Sequence, residues 1–368
     1  MTDAFAMADG LGPEKVVLIR TPGVGLQAAV VIDNISAGPA IGGVRMAPDA
    51  TLEECARLAR AMTFKNAAAG IPHGGGKAVI MADPGMARAD KERLVRAFAR
   101  AIAELAGYIP GPDMGTDERC MAWIRDEIGR AVGLPRVLGG IPLDEIGITG
   151  YGVAVAAEAA QAFCDVRIDG ARVAIQGFGA VGRHAARHLA ERGGRLVAAS
   201  DTGGTVVDPA GLPLEELIAL KAVGKSVTAL SGARVEPPGA AITAACDILV
   251  PAARPDAITD ANASEVKARL ILEGANIPAS RGAERALHDR GVLVVPDFIA
   301  NAGGVICAAV EFSGGSEATA RETVATKIRS NTVEVLERAG RTGALPRDAA
   351  TEMATARLRE AATYRRFR

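Results

Sequence analysis

The chain has 368 residues, of which 49% are hydrophobic, and a formal net charge of -1. This length favours two domains with separate cores. The near-neutral charge, without any run of like charges, gives no basic surface for nucleic acid or for an anionic membrane. No apolar stretch reaches the roughly 18 residues of a membrane-spanning helix. A small-molecule partner is therefore favoured over nucleic acid or a membrane.

Five cysteines are scattered along the sequence, at positions 55, 120, 164, 246 and 307. Their odd number and the lack of a Cys-x-x-Cys pair argue against a disulfide framework and against a zinc site. The N-terminus carries no basic segment followed by an apolar one, as a secretory signal would. We expect reduced cysteines, no metal and a cytoplasmic location.

The first part of the sequence alternates strand-like and helical patterns. β-type runs occur at residues 15–20, 26–33 and 39–46. Thr51 and Glu54 form a capping box, which predicts a helix that begins there and ends at Lys65. The next predicted elements are a strand at 78–81 and a helix from 90 to 107.

Two lysines flank an apolar, glycine-rich segment between the first helix and the strand that follows it. Lys65 ends the predicted helix, and Lys77 comes directly after the three glycines at 74–76, which we interpret as a turn. Ammonium groups at the ends of elements, with apolar neighbours, can bind an anion. The alternative is a glycine turn between two exposed lysines, and this segment alone leaves both interpretations open.

A tight loop at 111–116 carries a third polar candidate, Asp113. Because its flanks are apolar and no basic residue stands beside it in the sequence, its pKa could be raised and the carboxyl could move a proton. The competing interpretation is a turn-stabilising or helix-capping aspartate, which the loop taken alone favours.

A connection rich in Gly, Pro and Leu at 135–148 precedes a pattern typical of a βαβ unit. A strand at 173–176 runs into a G-x-G-x-x-G segment and a helix, and a second strand at 196–200 ends at Asp201. The segment consists of Gly177, Phe178, Gly179, Ala180, Val181 and Gly182. This context predicts a dinucleotide site, with pyrophosphate at the helix N-terminus and ribose on the acidic residue.

The charge of Asp201 would repel a 2′-phosphate, so we predict NAD rather than NADP as the cofactor. Further apolar runs are spaced like strands of an open parallel sheet, at 248–250, 270–272 and 292–295. Two helical patterns, separated by residues 340–346, follow from 318 to 368.

Several motifs, in this order along nearly the whole chain, resemble the glutamate/leucine/phenylalanine/valine dehydrogenases. They are Gly-Pro-Ala-Ile-Gly-Gly-Val-Arg-Met at 38–46, the 65–77 segment, Pro-Asp-Met-Gly-Thr at 112–116, Thr-Gly-Tyr-Gly at 149–152, the glycine motif at 177–182, Glu-Gly-Ala-Asn at 273–276, and Pro-Asp at 296–297 leading to Asn-Ala-Gly-Gly-Val at 301–305. The resemblance implies an α/β protein that oxidatively deaminates an amino acid to the 2-oxo acid and ammonia.

The resemblance also implies the domain organisation. We expect an N-terminal α/β domain for substrate binding and oligomerisation at 1–140, a Rossmann-type NAD-binding domain at 141–328, and C-terminal helices at 329–368 that pack back on the first domain. Members of the family assemble as homo-oligomers, so we expect the same here.

By the same resemblance, Lys65 would hold the substrate α-carboxylate, Lys77 would activate the attacking water, and Asp113 would exchange protons with the amino group. The nicotinamide-side contacts of the family match Thr149, Asn276 and Asn301. Oxidation at the α-carbon leaves an iminium that needs water, a base and a fixed carboxylate, so two lysines and one aspartate suffice.

The substrate is predicted from two departures from the glutamate pattern. Glutamate members usually carry a lysine where this chain has Ile41, beside Gly42, and a serine where it has Ala308, three positions after Val305. A γ-carboxylate without a cation would cost several kcal/mol of desolvation. We therefore expect an apolar L-amino acid of the leucine, valine and phenylalanine class, unless a basic residue such as Arg45 pairs with the γ-carboxylate.

Two other functions remain as alternatives. Glutamate dehydrogenase is the first, because the segments 112–116 and 273–278 look more like glutamate members than leucine members. A catalytically silent regulatory relative is the second, and retention of Lys65, Lys77 and Asp113 argues against it. His73 more often serves packing than catalysis in such a turn, and Asp256 stands where glutamate members often have Asn, with no consequence that the sequence reveals.

Overall fold

A computed structural model describes residues 7–365 and divides the chain into two compact units. Of the described residues, the first unit contains those up to Pro142, the segment Val305–Glu322, and those from Met353 to Arg365. The second unit contains Leu143–Gly304 and Thr323–Glu352. Each unit has its own β-sheet, so the α/β class is confirmed.

The first unit is built on a five-stranded mixed sheet with the order β1-β2-β4-β3-β5. Its elements before residue 143 are β1 (Lys15–Thr21), β2 (Leu26–Asn34), β3 (Ala40–Met46), α1 (Leu52–Ala69), β4 (Gly74–Ile80), α2 (Arg88–Ala101), β5 (Tyr108–Pro112) and α3 (Glu118–Ile128). The pairs β1–β2 and β2–β4 are antiparallel, whereas β3 pairs in parallel with both β4 and β5.

Helices cover both faces of this sheet. Alternate residues of β2 point to opposite faces, and Val30 belongs to a core with α2 and α3 residues such as Phe98 and Met121. Val31, on the other face, packs with Cys55 of α1. This burial on both faces explains why β2 reads as a continuous apolar run.

The three glycines at 74–76 are part of β4, so the predicted turn before a strand at 78–81 is wrong. They pair with β2 and β3, and at Gly74 and Gly75 the neighbouring backbone leaves no room for a side chain. A Cβ on Gly75 would lie 2.0 Å from the backbone N of Thr63 in α1. The glycines therefore let α1 and β4 approach closely.

Helix α1 also runs beyond its predicted end. Thr51 caps its start by accepting from the Glu54 amide, as the capping box predicts, but the helix ends at Ala69 with Gly70 in the left-handed conformation. Lys65 thus lies inside the helix, four residues before its end. The helix predicted at 90–107 spans Arg88–Ala101 instead, and β5 occupies part of the region that was predicted as a loop.

The second unit contains a seven-stranded sheet with the order β12-β11-β10-β6-β7-β8-β9. Its elements, in chain order, are α4 (Leu143–Ile146), α5 (Ile148–Ala160), β6 (Arg172–Gln176), α6 (Ala180–Ala190), β7 (Arg195–Asp201), β8 (Gly204–Val207), α7 (Leu214–Ala222), β9 (Arg234–Glu236), α8 (Ala240–Thr243), β10 (Ile248–Pro251), β11 (Leu270–Leu272), α9 (Arg281–Asp289), β12 (Leu293–Val295) and α10 (Asp297–Ala300).

Five neighbouring strands, β12 to β7 in the sheet order, are parallel, as the spacing of apolar runs predicts. Strands β8 and β9 extend the sheet with antiparallel pairing and were not predicted. Strand β6 pairs with β7 of the unit β6-α6-β7 on one side and with β10 on the other. The strand order therefore reverses at β6, which is the arrangement of a dinucleotide-binding fold.

The remaining helices are α11 (Gly303–Phe312), α12 (Glu317–Thr342) and α13 (Pro346–Thr363). In the first unit, the later part of α13 contacts the end of α1, where Arg357 donates to the carbonyl oxygens of Ala67 and Ala68. Among the helices that the structure describes, none is both long and apolar enough to cross a membrane.

Candidate active site

Lys77 and Asp113, the two predicted catalytic residues, form an ion pair in the first unit. Lys77 Nζ lies 2.6 Å from Asp113 Oδ2, and the Lys77 side chain is 7% exposed. Arg45 Nε donates to the same oxygen at 3.1 Å, and its Nη1 pairs with Glu54 of α1. One carboxylate thus meets two cations in a largely buried place.

These two cations overturn the expectation that the pKa of Asp113 is raised. Burial alone would raise it, but the Lys77 ammonium and the Arg45 guanidinium outweigh burial and hold the pKa of Asp113 below its usual value. The carboxyl is therefore ionised at neutral pH, as an acceptor of protons. The sequence did not reveal this because the basic neighbours of Asp113 come from other strands, Arg45 from β3 and Lys77 from β4.

The central strand β3 brings this pair together. Strands β4 and β5 flank β3, and Gly43 lies between Lys77 on β4 and Asp113 just after β5. A Cβ on Gly43 would lie 2.7 Å from Asp113 Cβ and 3.1 Å from Lys77 Nζ. The two side chains meet in the space that a side chain at position 43 would fill.

The loop that carries Asp113 is fixed to β3 by hydrogen bonds. Thr116 Oγ1 donates to the Val44 carbonyl at 2.7 Å, and the Asp113 amide donates to Thr116 Oγ1 at 3.0 Å. Gly115, with φ 80°, is so close to β3 that a Cβ would lie 2.1 Å from Met46 O. The Pro-Asp-Met-Gly-Thr motif is therefore a rigid support for one carboxylate.

Lys65 is half-buried near the end of α1, next to a residue that the sequence analysis missed. Asn66 is fully buried, and its Nδ2 donates to Gly74 O at 2.6 Å and to Ile41 O at 3.3 Å. This amide ties α1 to both β3 and β4. The position of Lys65 relative to the strand of Lys77 is thereby fixed.

The residues predicted to bind the substrate side chain lie on two elements of the first unit. Ile41 and Gly42 belong to β3, and Val305 and Ala308 lie three residues apart on α11. Ile41 and Ala308 are buried, at 3% and 7% exposure. That all four line one substrate pocket stays a prediction.

His73 has the contacts of a structural histidine. Its Nδ1 lies 3.0 Å from Pro39 O, and its ring packs edge-on against Phe312 with 5.7 Å between centroids. Burial lowers the pKa of His73, so the ring is neutral at pH 7.

In the second unit, the three glycines of the G-x-G-x-x-G motif have the three roles that such a motif requires. Gly177 has φ 93°, and a Cβ there would lie 2.6 Å from Ala253 Cβ. Around Gly179, no described atom lies within 4 Å of a Cβ position, so its backbone is open to a ligand. A Cβ on Gly182 would lie 2.0 Å from Gly177 O, so this glycine permits close helix–strand packing.

The start of α6 is suited to bind a phosphate group. Ala180, Val181 and Gly182 form its first turn, and in the described part of the chain no side chain caps Gly179. The amide groups of that turn are thus available to an anion at the positive end of the helix dipole. Phe178 is fully buried, and its amide donates to Ser200 O at 2.7 Å, which holds the loop in place.

A cleft of about 640 Å³ lies at the carboxyl ends of β6 and β10, where strand order reverses. The residues along it include Gly177, Gly179, Asp201, Lys221, Ala253 and Arg254. Ligands of open α/β sheets bind at this kind of position. The cleft is therefore the place where a dinucleotide would lie.

Asp201 lies in this cleft, but its carboxylate already has four donors. Lys221 Nζ and the Val227 amide donate to Oδ2 at 2.7 and 3.0 Å. Ser226 Oγ and the Gly203 amide donate to Oδ1 at 2.7 and 2.9 Å. Lys221 was missed because it lies on α7, outside the βαβ motif. Its ammonium group offsets the negative charge of Asp201, which was expected to repel a 2′-phosphate.

The predicted nicotinamide-side residues meet in the second unit. Asn301 Nδ2 donates to Asn276 Oδ1 at 3.1 Å and to Ala275 O at the same distance. A Cβ on Gly304 would lie 3.4 Å from Thr149 Oγ1, so the start of α5 adjoins the start of α11. That these residues contact nicotinamide stays a prediction.

Asp256 adopts a left-handed conformation with φ 52°, and its amide donates to Ile277 O at 3.0 Å. Asn and Asp are the residues other than Gly that adopt this conformation most readily. The replacement of Asn by Asp at this position therefore preserves the backbone.

Comparisons with known proteins cover both units. Residues 13–130 match the Glu/Leu/Phe/Val dehydrogenase dimerisation domain, and residues 139–366 match the Glutamate/Leucine/Phenylalanine/Valine dehydrogenase family. An NADP(+)-dependent glutamate dehydrogenase of Pyrobaculum calidifontis is 43% identical over 76% of this chain and 70% of its own. A glutamate dehydrogenase of Aeropyrum pernix is 40% identical over the same shares.

Among solved structures, the leucine-bound hetero-hexameric glutamate dehydrogenase of Thermus thermophilus is similar with a TM-score of 0.84. It is 33% identical, and the match covers 95% of this chain and 89% of that one.

These relatives overturn the expectation of an apolar amino acid as substrate, because both relatives named by sequence similarity are glutamate dehydrogenases. The expectation gave too much weight to Ile41 and Ala308. It favoured a γ-carboxylate left without a cation over the alternative that Arg45, which lies on the same strand as Ile41, pairs with it. Both parts of the chain match one family, and the protein is an amino-acid dehydrogenase of the Glu/Leu/Phe/Val dehydrogenase family.

Proposed function

We propose that this protein catalyses the oxidative deamination of L-glutamate to the 2-oxo acid and ammonia, and the reverse reaction. The observation that carries the proposal is its 43% and 40% identity to two glutamate dehydrogenases over most of the chain. The buried Lys77–Asp113 pair supports a chain equipped for turnover rather than a silent relative.

The proposed roles follow from the charges in the first unit. The Lys65 ammonium binds the substrate α-carboxylate and so fixes the α-carbon. Asp113, which is ionised, takes a proton from the substrate ammonium group. Lys77, at 2.6 Å from Asp113, activates the water that attacks the imine carbon, and protons pass between these two side chains. The bound nicotinamide dinucleotide supplies the hydride acceptor.

Arg45 is the cation that we assign to the γ-carboxylate. Because side chains alternate along a strand, Arg45 lies on the same face of β3 as Ile41 and Gly43, the face where Lys77 meets Asp113. Its Nη1 is held by Glu54, whose side chain is 29% exposed. A substrate carboxylate that replaces Glu54 keeps the guanidinium paired and avoids a buried unpaired charge.

The cofactor is a nicotinamide dinucleotide, and we infer that NAD is preferred to NADP by a small margin. Asp201 supports NAD because its carboxylate lies in the cleft at the end of β7. Lys221, paired with it at 2.7 Å, offsets the charge and offers a donor to a 2′-phosphate. The margin is therefore expected to be below about tenfold in kcat/KM.

We also infer that the protein is a homo-oligomer, which the match of residues 13–130 to a dimerisation domain supports. A cytoplasmic location stays a prediction from the sequence. All five cysteines are free thiols, and four of them are buried.

A comparison of substrates tests the proposal. We expect kcat/KM for glutamate to exceed that for leucine and for phenylalanine by at least about tenfold with the preferred cofactor, the scale on which a buried polar group discriminates. A value for leucine or phenylalanine equal to that for glutamate would contradict it.

The variant Lys77→Ala tests the role of the proposed base. We expect kcat for glutamate to fall by about 10² or more, whereas the Kd of the cofactor stays within about twofold of wild type. Loss of cofactor binding in this variant would instead indicate a folding defect.

A further inference from the structure

Arg347, in the first turn of α13, gathers three carboxylates of the second unit. Its Nη2 lies 2.6 Å from Glu273 Oε2, and its Nη1 lies 2.8 Å from Asp297 Oδ1. Its Nε pairs with Glu284 Oε1 of α9. The carboxylates are 0–8% exposed, so the guanidinium is a positive centre inside a nearly dry cluster.

The cluster continues into the backbone of two segments. Glu273 Oε2 accepts from the Asp297 amide at 2.9 Å, and Asp297 Oδ2 accepts from the Ile277 amide at 2.9 Å. Ile277 has the strained value of φ 48°. The segment from Glu273 to Ile277 and the start of α10 are therefore held to each other and to Arg347.

These are the two segments that carry Asn276 and Asn301, whose side chains hydrogen-bond at 3.1 Å. Asn276 directly precedes Ile277, and Asn301 directly follows α10. The Asn301 amide donates to Asp297 O at 2.7 Å, which links it to the cluster through a single helical turn. Any shift of Glu273 or Asp297 would move one asparagine relative to the other.

The cluster depends on the guanidinium more than on any single carboxylate. Burial raises the pKa of Glu273 and of Glu284, and the Arg347 guanidinium opposes that rise. Only a planar group with five donors can bridge all three carboxyl groups at once. Within the described chain, Glu273 Oε1 and Glu284 Oε2 have no hydrogen-bond partner, so little else compensates their burial. Arg347 also lies over the Phe298 ring of α10, 5.6 Å from its centroid.

We propose that Arg347 is a positioning residue for the nicotinamide half of the cofactor. It acts through Glu273 and Asp297, which set the distance between Asn276 and Asn301, and it does not touch the reacting atoms. The inference rests on the proposed function, a nicotinamide-dependent dehydrogenase, and on the prediction that Asn276 and Asn301 are the nicotinamide-side contacts.

Two probes separate this role from a general effect on folding. NADH contains the nicotinamide ring, whereas ADP-ribose lacks only that ring and keeps the adenosine, the pyrophosphate and the second ribose, the first two of which would lie in the cleft of Gly177 and Asp201. Titration calorimetry of Arg347→Met should show NADH binding weakened by about tenfold or more, with ADP-ribose binding within about twofold of wild type. Arg347→Lys, which keeps the charge but loses the fork, should weaken NADH binding by an intermediate factor.

Arg172→Met is the matched control. Arg172 also pairs with a carboxylate in the second unit, Asp247 at 3.1 Å. It is the first residue of β6, at the opposite end of that strand from the cofactor cleft. This variant should bind both probes as wild type does.

The proposal is overturned if NADH and ADP-ribose weaken by the same factor in the Arg347 variants, or if NADH binding does not change. Should Arg347→Met fail to fold, Arg347→Lys decides by the same ratio. Binding of NADH is independent of which amino acid is oxidised, so a wild-type protein that prefers another substrate leaves this test valid and refutes only the glutamate assignment.

Discussion

Lys77 Nζ and Asp113 Oδ2 lie 2.6 Å apart, although one residue is on β4 and the other follows β5. The strand between them is β3, and the absence of a side chain at Gly43 makes their contact possible. The Gly-Gly of the 38–46 motif is therefore a requirement of the Lys77–Asp113 contact as well as of the sheet.

The first prediction tests this relationship. We expect Gly43→Ala to lower kcat by about 10² or more, because the new methyl group would displace Lys77 and Asp113, and a misplacement of 1 Å can cost that much. Cofactor binding should not change, since the cleft for the dinucleotide belongs to the second unit. Stopped-flow and steady-state rates with glutamate, together with the Kd of NADH, provide the measurement.

Gly107→Ala serves as the control for this prediction. A Cβ on Gly107 would meet its nearest atom, Ile35 Cγ2, at 4.0 Å, so this variant should keep wild-type kcat. If Gly43→Ala were as active as Gly107→Ala, the pair would not depend on the space at position 43.

The second prediction concerns Asp113 and pH. Burial alone would raise its pKa, but Lys77 and Arg45 hold the pKa of Asp113 below its usual value. A depressed pKa means that ionised Asp113 stabilises the fold above its unfolded pKa of about 3.9, and that this stability is lost as pH falls through the folded pKa. Asp113→Asn should therefore be less stable than wild type at neutral pH, and the difference should shrink below about pH 4.

Urea unfolding of both proteins along a pH series measures this difference. The variant should also lose kcat by about 10² or more. A stability gap that stays constant down to about pH 3 would show that the Asp113 carboxylate contributes no net stability.

The third prediction concerns cofactor choice at the Asp201–Lys221 pair. Asp201→Ser should leave Lys221 unpaired and favour a 2′-phosphate, so the ratio of kcat/KM for NAD to that for NADP should fall by about tenfold or more. Lys221→Met should leave the Asp201 charge uncompensated and raise the same ratio. A ratio that moves in the same direction in both variants would contradict an opposing action of the two side chains.

The sequence predicts the parts of this protein that depend on local pattern. Thr51 caps α1 by accepting from the Glu54 amide, whereas the Glu54 carboxylate pairs with Arg45 rather than completing a capping box. The βαβ unit around the glycine motif is folded as its periodicity predicts. Strand β5 was missed because its sequence, Tyr-Ile-Pro-Gly-Pro, contains residues that usually end strands. Burial between β3 and α3 overrides that local preference.

The electrostatics of the candidate site depend on contacts that no local pattern contains. Arg45 and Asp113 are 68 positions apart, and Asp201 and Lys221 lie on different elements. In both cases the sequence identified the acidic residue, but it did not identify the basic side chain that pairs with it in the fold. For the same reason, counting the substitutions at Ile41 and Ala308 led to the wrong substrate class.

The last prediction concerns Ile41, where the chain lacks the lysine that is usual in glutamate members. Ile41 is 3% exposed on the face of β3 that carries Gly43 and Arg45. If Arg45 alone holds the γ-carboxylate, it does so while also pairing with Asp113. A second cation at position 41 would then also pair with the γ-carboxylate and strengthen the binding of glutamate.

We expect Ile41→Lys to lower KM for glutamate by about tenfold, which corresponds to one charge-assisted hydrogen bond of about 1.4 kcal/mol. Ile41→Met, of similar length but uncharged, is the control and should not lower KM. Arg45→Met should reduce kcat/KM for glutamate more than for norvaline, which has a side chain of the same length without the carboxylate. Equal losses for glutamate and norvaline would mean that Arg45 serves only Asp113 and that the γ-carboxylate binds elsewhere.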